Sequence, residues 1–432
     1  MKRLILISLL YPMLLPCFGQ KLFKEYVQNN IVNIRNIDPG STNFSDLGPI
    51  GAAIGGARIV MLGEQDHGDG ATMLAKTRLI KYLHEEKGFN VLAFEGEFFS
   101  LNEGWDKLTK KEQFIQPFLK ENIFPVWSDC LQCSDLLYSY IPSTFQSNTP
   151  LQVAGFDSQI GIFPYSKQNI KSSIDQYLQE KNIEFVKSRQ YQRFLYHTTI
   201  LMKTPTKNTN VEKVKEWREG FQTFTIMVDT VLAQLGPEAS NDFHYRTLES
   251  LREFAKASLH YDNYVYSNSF RDRQMAKNLQ WLANVKYPNE KIIVWAANAH
   301  IFKNADTAIK SKGYSSINWM GTEFTRDSSN ASQTYVLGFS SKTGTYKRTT
   351  IAGEPKRVPK PLKKGFETWI DDDLQYGFVN LVPFRKQHPG FNEMFMMKPG
   401  QGNMTGAWSN VFDGIFYIRN MTPCELIEPV EL

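Results

Sequence analysis

Arg58–Gly63 (RIVMLG) runs directly into Glu64-Gln-Asp-His67-Gly68. An apolar run of this length, ended by a glycine and a polar turn, suits a strand buried on both faces, as in a parallel sheet. Asn90–Glu95 (NVLAFE), Leu151–Phe156 (LQVAGF) and Lys291–Ala296 (KIIVWA) have the same character. Between the first two, Thr72–Lys87 sets Leu74, Leu79, Ile80 and Leu83 at helical spacing and closes at Gly88, a C-terminal stop. Strand, helix and strand in succession predict a βαβ unit. The fold class that follows is α/β, with a largely parallel central sheet flanked by helices.

Residues 165–285 hold no convincing strand and read as a series of long helices, an inserted all-helical subdomain. Residues 20–164 and 286–432 are then the two parts of one α/β catalytic domain. After His300 the pattern changes to shorter β-like runs at Ser316–Phe324, Thr334–Phe339, Thr345–Thr350, Gly377–Leu381 and Val411–Ile418. The basic, proline-rich stretch Ala352–Lys364 reads as a solvated loop, with a flap over an acidic ligand as the functional alternative.

Composition sets outer limits. The chain has 432 residues, 42% hydrophobic and 22% charged, which excludes a disordered, collagen-like or coiled-coil protein. Its net charge is +5, with Lys2 and Arg3 in a segment expected to be removed, so charge gives no argument for a nucleic-acid partner. Met1–Gly19 carries those two positives, an apolar run Leu4–Leu15 and a small-x-small site at Cys17-Phe18-Gly19. That pattern predicts a secretory signal cleaved near Gly19-Gln20 and a secreted or periplasmic protein. The run is shorter than the roughly 20 residues of a spanning helix, and no later stretch supplies a stable membrane span. Cys130-Leu-Gln-Cys133 lacks the second pair of a four-ligand zinc site, and in an oxidising compartment it reads as a small local disulfide, leaving Cys424 a buried free thiol. No motif fixes an oligomeric state.

The chemistry is positional. Glu64 and His67 follow the first strand, Glu95 ends the second, Asp157 follows the third and His300 the fourth. In open α/β sheets ligands bind beyond the carboxyl ends of the strands, so these side chains are expected to converge. A carboxylate three residues before a histidine can accept its Nδ1–H and leave Nε2 as a general base for water. Alone, this pair also reads as a capping acid and a hydrogen-bonded loop histidine; the strand in front of it favours the site. Glu95, at the mouth of an apolar strand, is expected to have a raised pKa, with Glu97 capping the next helix. Ser269 reads as an N-cap for the helix through Met275, Leu279 and Trp281, and of Arg271 and Arg273, two apart, one at most faces the crevice. There is no G-x-S-x-G elbow, HExxH, Walker A or dinucleotide fingerprint.

Taken in order, Gly63-Glu64-Gln-Asp-His67-Gly68, Phe94-Glu95-Gly96, Arg271-Asp272-Arg273-Gln-Met275-Ala276 with Asn278, Trp295-Ala-Ala-Asn298-Ala-His300 and Phe412-Asp413 resemble the motifs of the erythromycin esterase family. The resemblance implies a deep cleft and hydrolysis of a macrolide lactone or similar small-molecule ester, with no covalent serine intermediate and no cofactor. It makes His67 the base, Glu64 and Glu95 orienting or proton-shuttling carboxylates, and His300 and Arg271 polar groups of the cleft. Lys76, Asp157 and Arg273 are then substrate-binding candidates. Two positions depart from the family pattern: Ala297 stands for a histidine and Lys76 for an arginine. The alternatives are a metal-dependent hydrolase or protease, resembling a wider group of haem-binding and GxxH metalloprotease-like proteins and holding one divalent ion through Glu64, His67, Glu95 and His300, or a binding protein whose chemistry has lapsed at Ala297.

Overall fold

The computed structural model describes residues 15–199 and 211–428. Most of the expected leader lies outside them, and a helix, Leu15–Asn30, runs through the expected cleavage position. Eleven strands follow: β1 Val32–Asn33, β2 Ile59–Leu62, β3 Val91–Glu97, β4 Gln152–Asp157, β5 Ile292–Trp295, β6 Thr334–Tyr346, β7 Lys356–Arg357, β8 Tyr376–Asn380, β9 Phe395–Met397, β10 Met404–Gly406 and β11 Gly414–Met421. Nine of them make one sheet in the order β1-β8-β11-β6-β2-β5-β3-β4, with β7 paired to β6 at the side. From β11 to β4 every pairing is parallel, so these strands present their carboxyl ends at one edge.

All four apolar runs are strands of this parallel part. Each splits its side chains between the two faces: Ile59 and Met61 enter one hydrophobic cluster, Val60 and Leu62 the other. The helix after β2 spans Gly70–Lys87 and ends at Gly88, whose φ of 69° and N–H bonded to Leu83 O make the left-handed stop. β2 and β3 do not pair; β5, which arrives some 200 residues later in the chain, lies between them. Helices occupy the intervening sequence at Pro164–Lys181, Tyr191–His197, Val211–Leu235, Phe243–Leu259 and Tyr264–Trp281. The last of these is tied to the sheet by Asn278 Nδ2, which donates to Phe156 O at 3.1 Å. No helix among the described residues is long and apolar enough to cross a membrane.

Several local expectations change. Ser316–Phe324 is not a strand but a turn leading into the helix Met320–Thr325. Its apolar residues Ile317, Trp319 and Phe324 pack beneath the 300–302 turn, where Gly321 N donates to His300 O at 2.7 Å and a Cβ on Gly321 would meet Ile301 backbone at 2.4 Å. Of Thr345–Thr350 only the first two residues are strand, and the run at Val411 is a short helix, Trp408–Val411, before β11. Ser269 is inside its helix, which begins at Tyr264 with Asn263 Oδ1 accepting from Tyr266 N.

Asp413, just before β11, joins the two halves of the sheet edge. One carboxylate oxygen takes Lys303 Nζ (2.6 Å) and the Arg385 guanidinium; the other takes the backbone N–H of Val336 (2.8 Å). Asp413 is buried, so its removal strands two cations without a counter-charge. Asp413→Ala is therefore expected to cost about 3–5 kcal/mol in urea unfolding; a loss below about 1 kcal/mol would mean the network is incidental.

Candidate active site

Seven of the sequence candidates meet at the carboxyl edge of the sheet. The turn after β2 is held from all sides. Gly63 has no space for a side chain, since a Cβ would lie 1.9 Å from Asn298 Oδ1, and one on Gly68 would strike the Lys347–Arg348 backbone at 2.3–2.5 Å. Asp66 accepts from Gly68 N (2.9 Å) and forms a two-pronged pair with Arg348 at 2.9 and 2.7 Å. The basic segment after β6 thus braces the turn.

Within this frame Glu64 is fully buried and spends both oxygens. Oε1 accepts from His67 Nδ1 at 2.7 Å and from Trp127 Nε1 at 3.1 Å, and Oε2 accepts from Lys76 Nζ at 2.7 Å. A carboxylate can only accept, so Nδ1 of His67 carries the proton and Nε2 is left free of this contact. The imidazole stands edge-on to Trp127 with ring centres 4.9 Å apart and is 20% exposed. Lys76 has no exposure at all: burial depresses its ammonium while Glu64 sustains it, and its Nζ lies 3.9 Å above the Trp295 ring. The structure thus places this substrate-binding candidate behind Glu64, with its ammonium spent on that carboxylate.

A second group sits at the ends of β3, β4 and β5. Arg271 NH2 donates to Glu95 Oε1 and to Asp157 Oδ2, both at 2.8 Å, and Nε donates to Asp157 Oδ1 at 3.1 Å. His300 lies between two carboxylates, Nδ1 at 2.7 Å from Asp272 Oδ1 and Nε2 at 3.1 Å from Glu95 Oε1. Burial alone would lower this imidazole, but Asp272 and Glu95 outweigh it and raise it to about 10, so His300 is an imidazolium at neutral pH. Glu95 was expected to rise; instead, against its burial, His300 and Arg271 hold it well below the usual carboxylate range. Its other oxygen takes the N–H of Ala297 at 2.9 Å. Glu95 is thus permanently ionised near neutrality and shuttles no proton. The turn after β5 joins the two groups, since Ala297 N donates to Glu95 and the next residue, Asn298, donates its N–H to Glu64 O at 2.8 Å.

The remaining candidates lie as follows around this group. Asp157 is buried, with its oxygens taken by Arg271 and by Gln159 N and Nε2 (3.1 and 2.9 Å), so it holds Arg271. Arg273 is exposed on the far side of the helix, against Phe270 and beside Glu323 and Asp327. Glu97 does not cap a helix; it accepts from Gly161 N, Ile162 N and Ser100 Oγ, fastening the 158–162 loop, and its burial lifts the carboxyl to about 7. Cys130 and Cys133 are free thiols rather than a bridge, and Cys424 is a buried thiol as expected. Trp127 and Asp272 were not foreseen. Trp127 comes from a one-turn helix, Pro125–Ser128, with no strand-end signal, whereas Asp272 stands in the sequence only as part of the Arg271-Asp272-Arg273 motif.

The ligand set Glu64, His67, Glu95 and His300 does not fit a divalent cation. Lys76 and Arg271 already occupy oxygens of the two carboxylates, and His300 offers no lone pair while both its nitrogens face carboxylates. Among the described residues no three His, Cys, Asp or Glu side chains are arranged to hold a metal. Beside Arg271 a cavity of about 180 Å³ opens to solvent, lined also by Gln159, Phe254, Ser258, Tyr261 and Asn268.

The erythromycin esterase family model matches residues 84–414, and the chain belongs to that family of hydrolases. The match takes in Glu95, Asp157, Arg271 and His300, and begins after Glu64, His67 and Lys76. YbfO of Bacillus subtilis (strain 168), named as a candidate hydrolase, is 25% identical over 99% of this chain and 100% of its own. The fold is shared with a Bacillus cereus protein (TM-score 0.71, 19% identity, 95% of this chain and 99% of the other). It is shared too with a mutant of the erythromycin esterase EreC in an open conformation (TM-score 0.65, 18% identity, 92% and 100%).

The raised His300 value carries a stability consequence. The folded value, about 10, exceeds the ordinary histidine value of about 6.5. Its contribution is therefore complete below about pH 6.5 and is lost as pH rises through about 10. Thermal midpoints of the wild type should fall between pH 7 and 10 more steeply than those of His300→Gln; parallel curves would show that His300 is not charged in the fold.

Proposed function

We propose that the protein is an exported carboxylic-ester hydrolase that opens a macrolide lactone or a similar ester with water activated by His67. The observation that carries this reading is the 2.7 Å contact between His67 Nδ1 and a Glu64 carboxylate that is itself locked by Lys76 and Trp127. Glu64 holds the ring with Nε2 as the acceptor. Water gives its proton to Nε2 as it attacks the ester carbonyl, and the resulting imidazolium, stabilised by Glu64, returns the proton to the departing alkoxide. Arg271, whose flank faces the cavity, supplies positive charge for the tetrahedral oxyanion and is held in place by Glu95 and Asp157, with the His300 charge behind it on Glu95. No serine nucleophile is required. The cavity beside Arg271, with Phe254 and Tyr261 among serine, asparagine and glutamine side chains, supports an amphiphilic ring-bearing substrate.

Export rests on the Met1–Gly19 pattern. Cleavage near Gly19-Gln20 leaves Phe23, packed on Phe384 and Phe395, to anchor what remains of the first helix; sequencing the N-terminus of the exported protein checks this. The reading of a lapsed binding protein draws on Ala297, which offers Glu95 a backbone N–H and no imidazole.

A screen of macrolides and simpler esters tests the activity. The pure protein is expected to hydrolyse at least one, and His67→Ala to lower kcat by about 10²–10⁴-fold with the fold retained by circular dichroism. The rate should decline towards about pH 10 as His300 loses its proton. Turnover unaffected by His67→Ala contradicts the assignment of the base; binding with no turnover favours the lapsed reading.

A further inference from the structure

Asp157, buried at the end of β4, orients two residues at the edge of the open cavity. Its carboxylate can only accept, so every group bonded to it must present a hydrogen. Gln159, two residues on, gives it a backbone N–H to Oδ1 at 3.1 Å and the side-chain Nε2 to Oδ2 at 2.9 Å. Arg271 NH2 meets that same Oδ2 at 2.8 Å, so guanidinium and amide stand side by side on one oxygen. The amide of Gln159 can therefore take one orientation only. Its NH2 group is turned to Asp157, and Oε1 has no partner among the described residues.

Both residues line the cavity of about 180 Å³. On Arg271, NH2 and Nε are taken up by Glu95 and Asp157, whereas NH1 has no carboxylate. Its neighbour at 3.4 Å is His300 Nε2, which as an imidazolium offers no lone pair. The cavity edge thus holds a fixed donor and, beside it, a fixed acceptor. Asn268 repeats the acceptor: its Nδ2 donates to Tyr264 O at 2.8 Å, which leaves Oδ1 without a partner among the described residues. No carboxylate lines the cavity among the described residues. An ammonium group there would have Arg271 beside it and no counter-charge, so the donor that suits Gln159 is a neutral hydroxyl.

We propose that Gln159 is a specificity-determining residue of the ester site, and that the substrates it selects are hydroxy esters or hydroxylated lactones with the hydroxyl α or β to the scissile carbonyl. The carbonyl oxygen is received by Arg271 NH1, the hydroxyl donates to Gln159 Oε1, and Phe254 and Tyr261 take the apolar remainder. An ester that lacks the hydroxyl strips water from the amide oxygen and gives it nothing in return, which is the source of the discrimination. The inference rests on the ester-hydrolase reading and adds to it the substrate feature that is recognised.

The test compares methyl mandelate and methyl tropate, hydroxylated α and β to the carbonyl, with methyl phenylacetate on the full chain. Ratios of kcat/KM are divided by the ratios for hydrolysis in hydroxide, which removes intrinsic reactivity. Wild type is expected to favour at least one hydroxy ester by about 3–10-fold, and Gln159→Met to abolish the preference. A residue that only braced Asp157 would lower all three esters together and leave the ratio unmoved. The backbone N–H at this position survives the substitution and keeps Asp157 Oδ1 occupied. Saturation-transfer NMR makes the same comparison of binding with the unreactive amides mandelamide, tropamide and phenylacetamide. If no ester is turned over the hydrolase reading fails, and the amides still decide the role of Gln159, a hydroxyl preference lost in Gln159→Met supporting it. A wild type without a hydroxyl preference in turnover or, lacking turnover, in amide binding would overturn the proposal, as would a preference that survives Gln159→Met.

Discussion

A carboxylate without water must be surrounded by donors, and this fold places four of them, Glu64, Glu95, Asp157 and Asp272, beyond the ends of its central strands with almost no solvent contact. Left alone, each would take up a proton or pull the strand end apart. Instead Lys76, Trp127 and His67 surround the first, while Arg271 and His300 are shared among the other three. Arg271 and His300, two cations with NH1 and Nε2 only 3.4 Å apart, are tolerable neighbours only because carboxylates flank both. The network is therefore mutually dependent: without Glu64 the Lys76 ammonium, and without Arg271 the Asp157 carboxylate, is left as a buried charge with no opposite charge beside it.

That dependence sets the division of labour. Residues spent on one another cannot meet a substrate, so Asp157 and Lys76 are supports, and Glu95 is held ionised by His300 and Arg271. What stays open is the far side of His67, whose ring is partly exposed, and the flank of Arg271 that faces the cavity. Rigid charge around one accessible imidazole is the arrangement expected of a site whose electrostatics are organised before substrate arrives.

The sheet was legible because RIVMLG, NVLAFE, LQVAGF and KIIVWA are apolar throughout, and only strands buried on both faces need that. The order of strands was not: nothing local to residues 58–95 indicates that β5 separates β2 from β3. Likewise the polar residue after each strand pointed to the site, while their roles depended on partners far away in sequence. Glu95 was misjudged because its apolar strand is visible in the sequence and Arg271, 176 positions on, is not assigned to it. Trp127, on the single helical turn Pro125–Ser128, and Cys424, on the segment after β11, reach the turn after β2 from stretches too short to carry a periodic pattern. Ser316–Phe324 reads as a strand in the sequence since its apolar content reports burial and says nothing about whether sheet or helix provides it.

The central claim is that buried carboxylates fix the protonation of both histidines, and the ring nitrogens report this directly. In a ¹⁵N–¹H long-range correlation spectrum, assigned with His67→Asn and His300→Asn, His300 should show two protonated nitrogens at pH 8, and the neutral ring of His67 should carry its proton on Nδ1. A His300 neutral at pH 8, or a His67 with its proton on Nε2, would contradict the account.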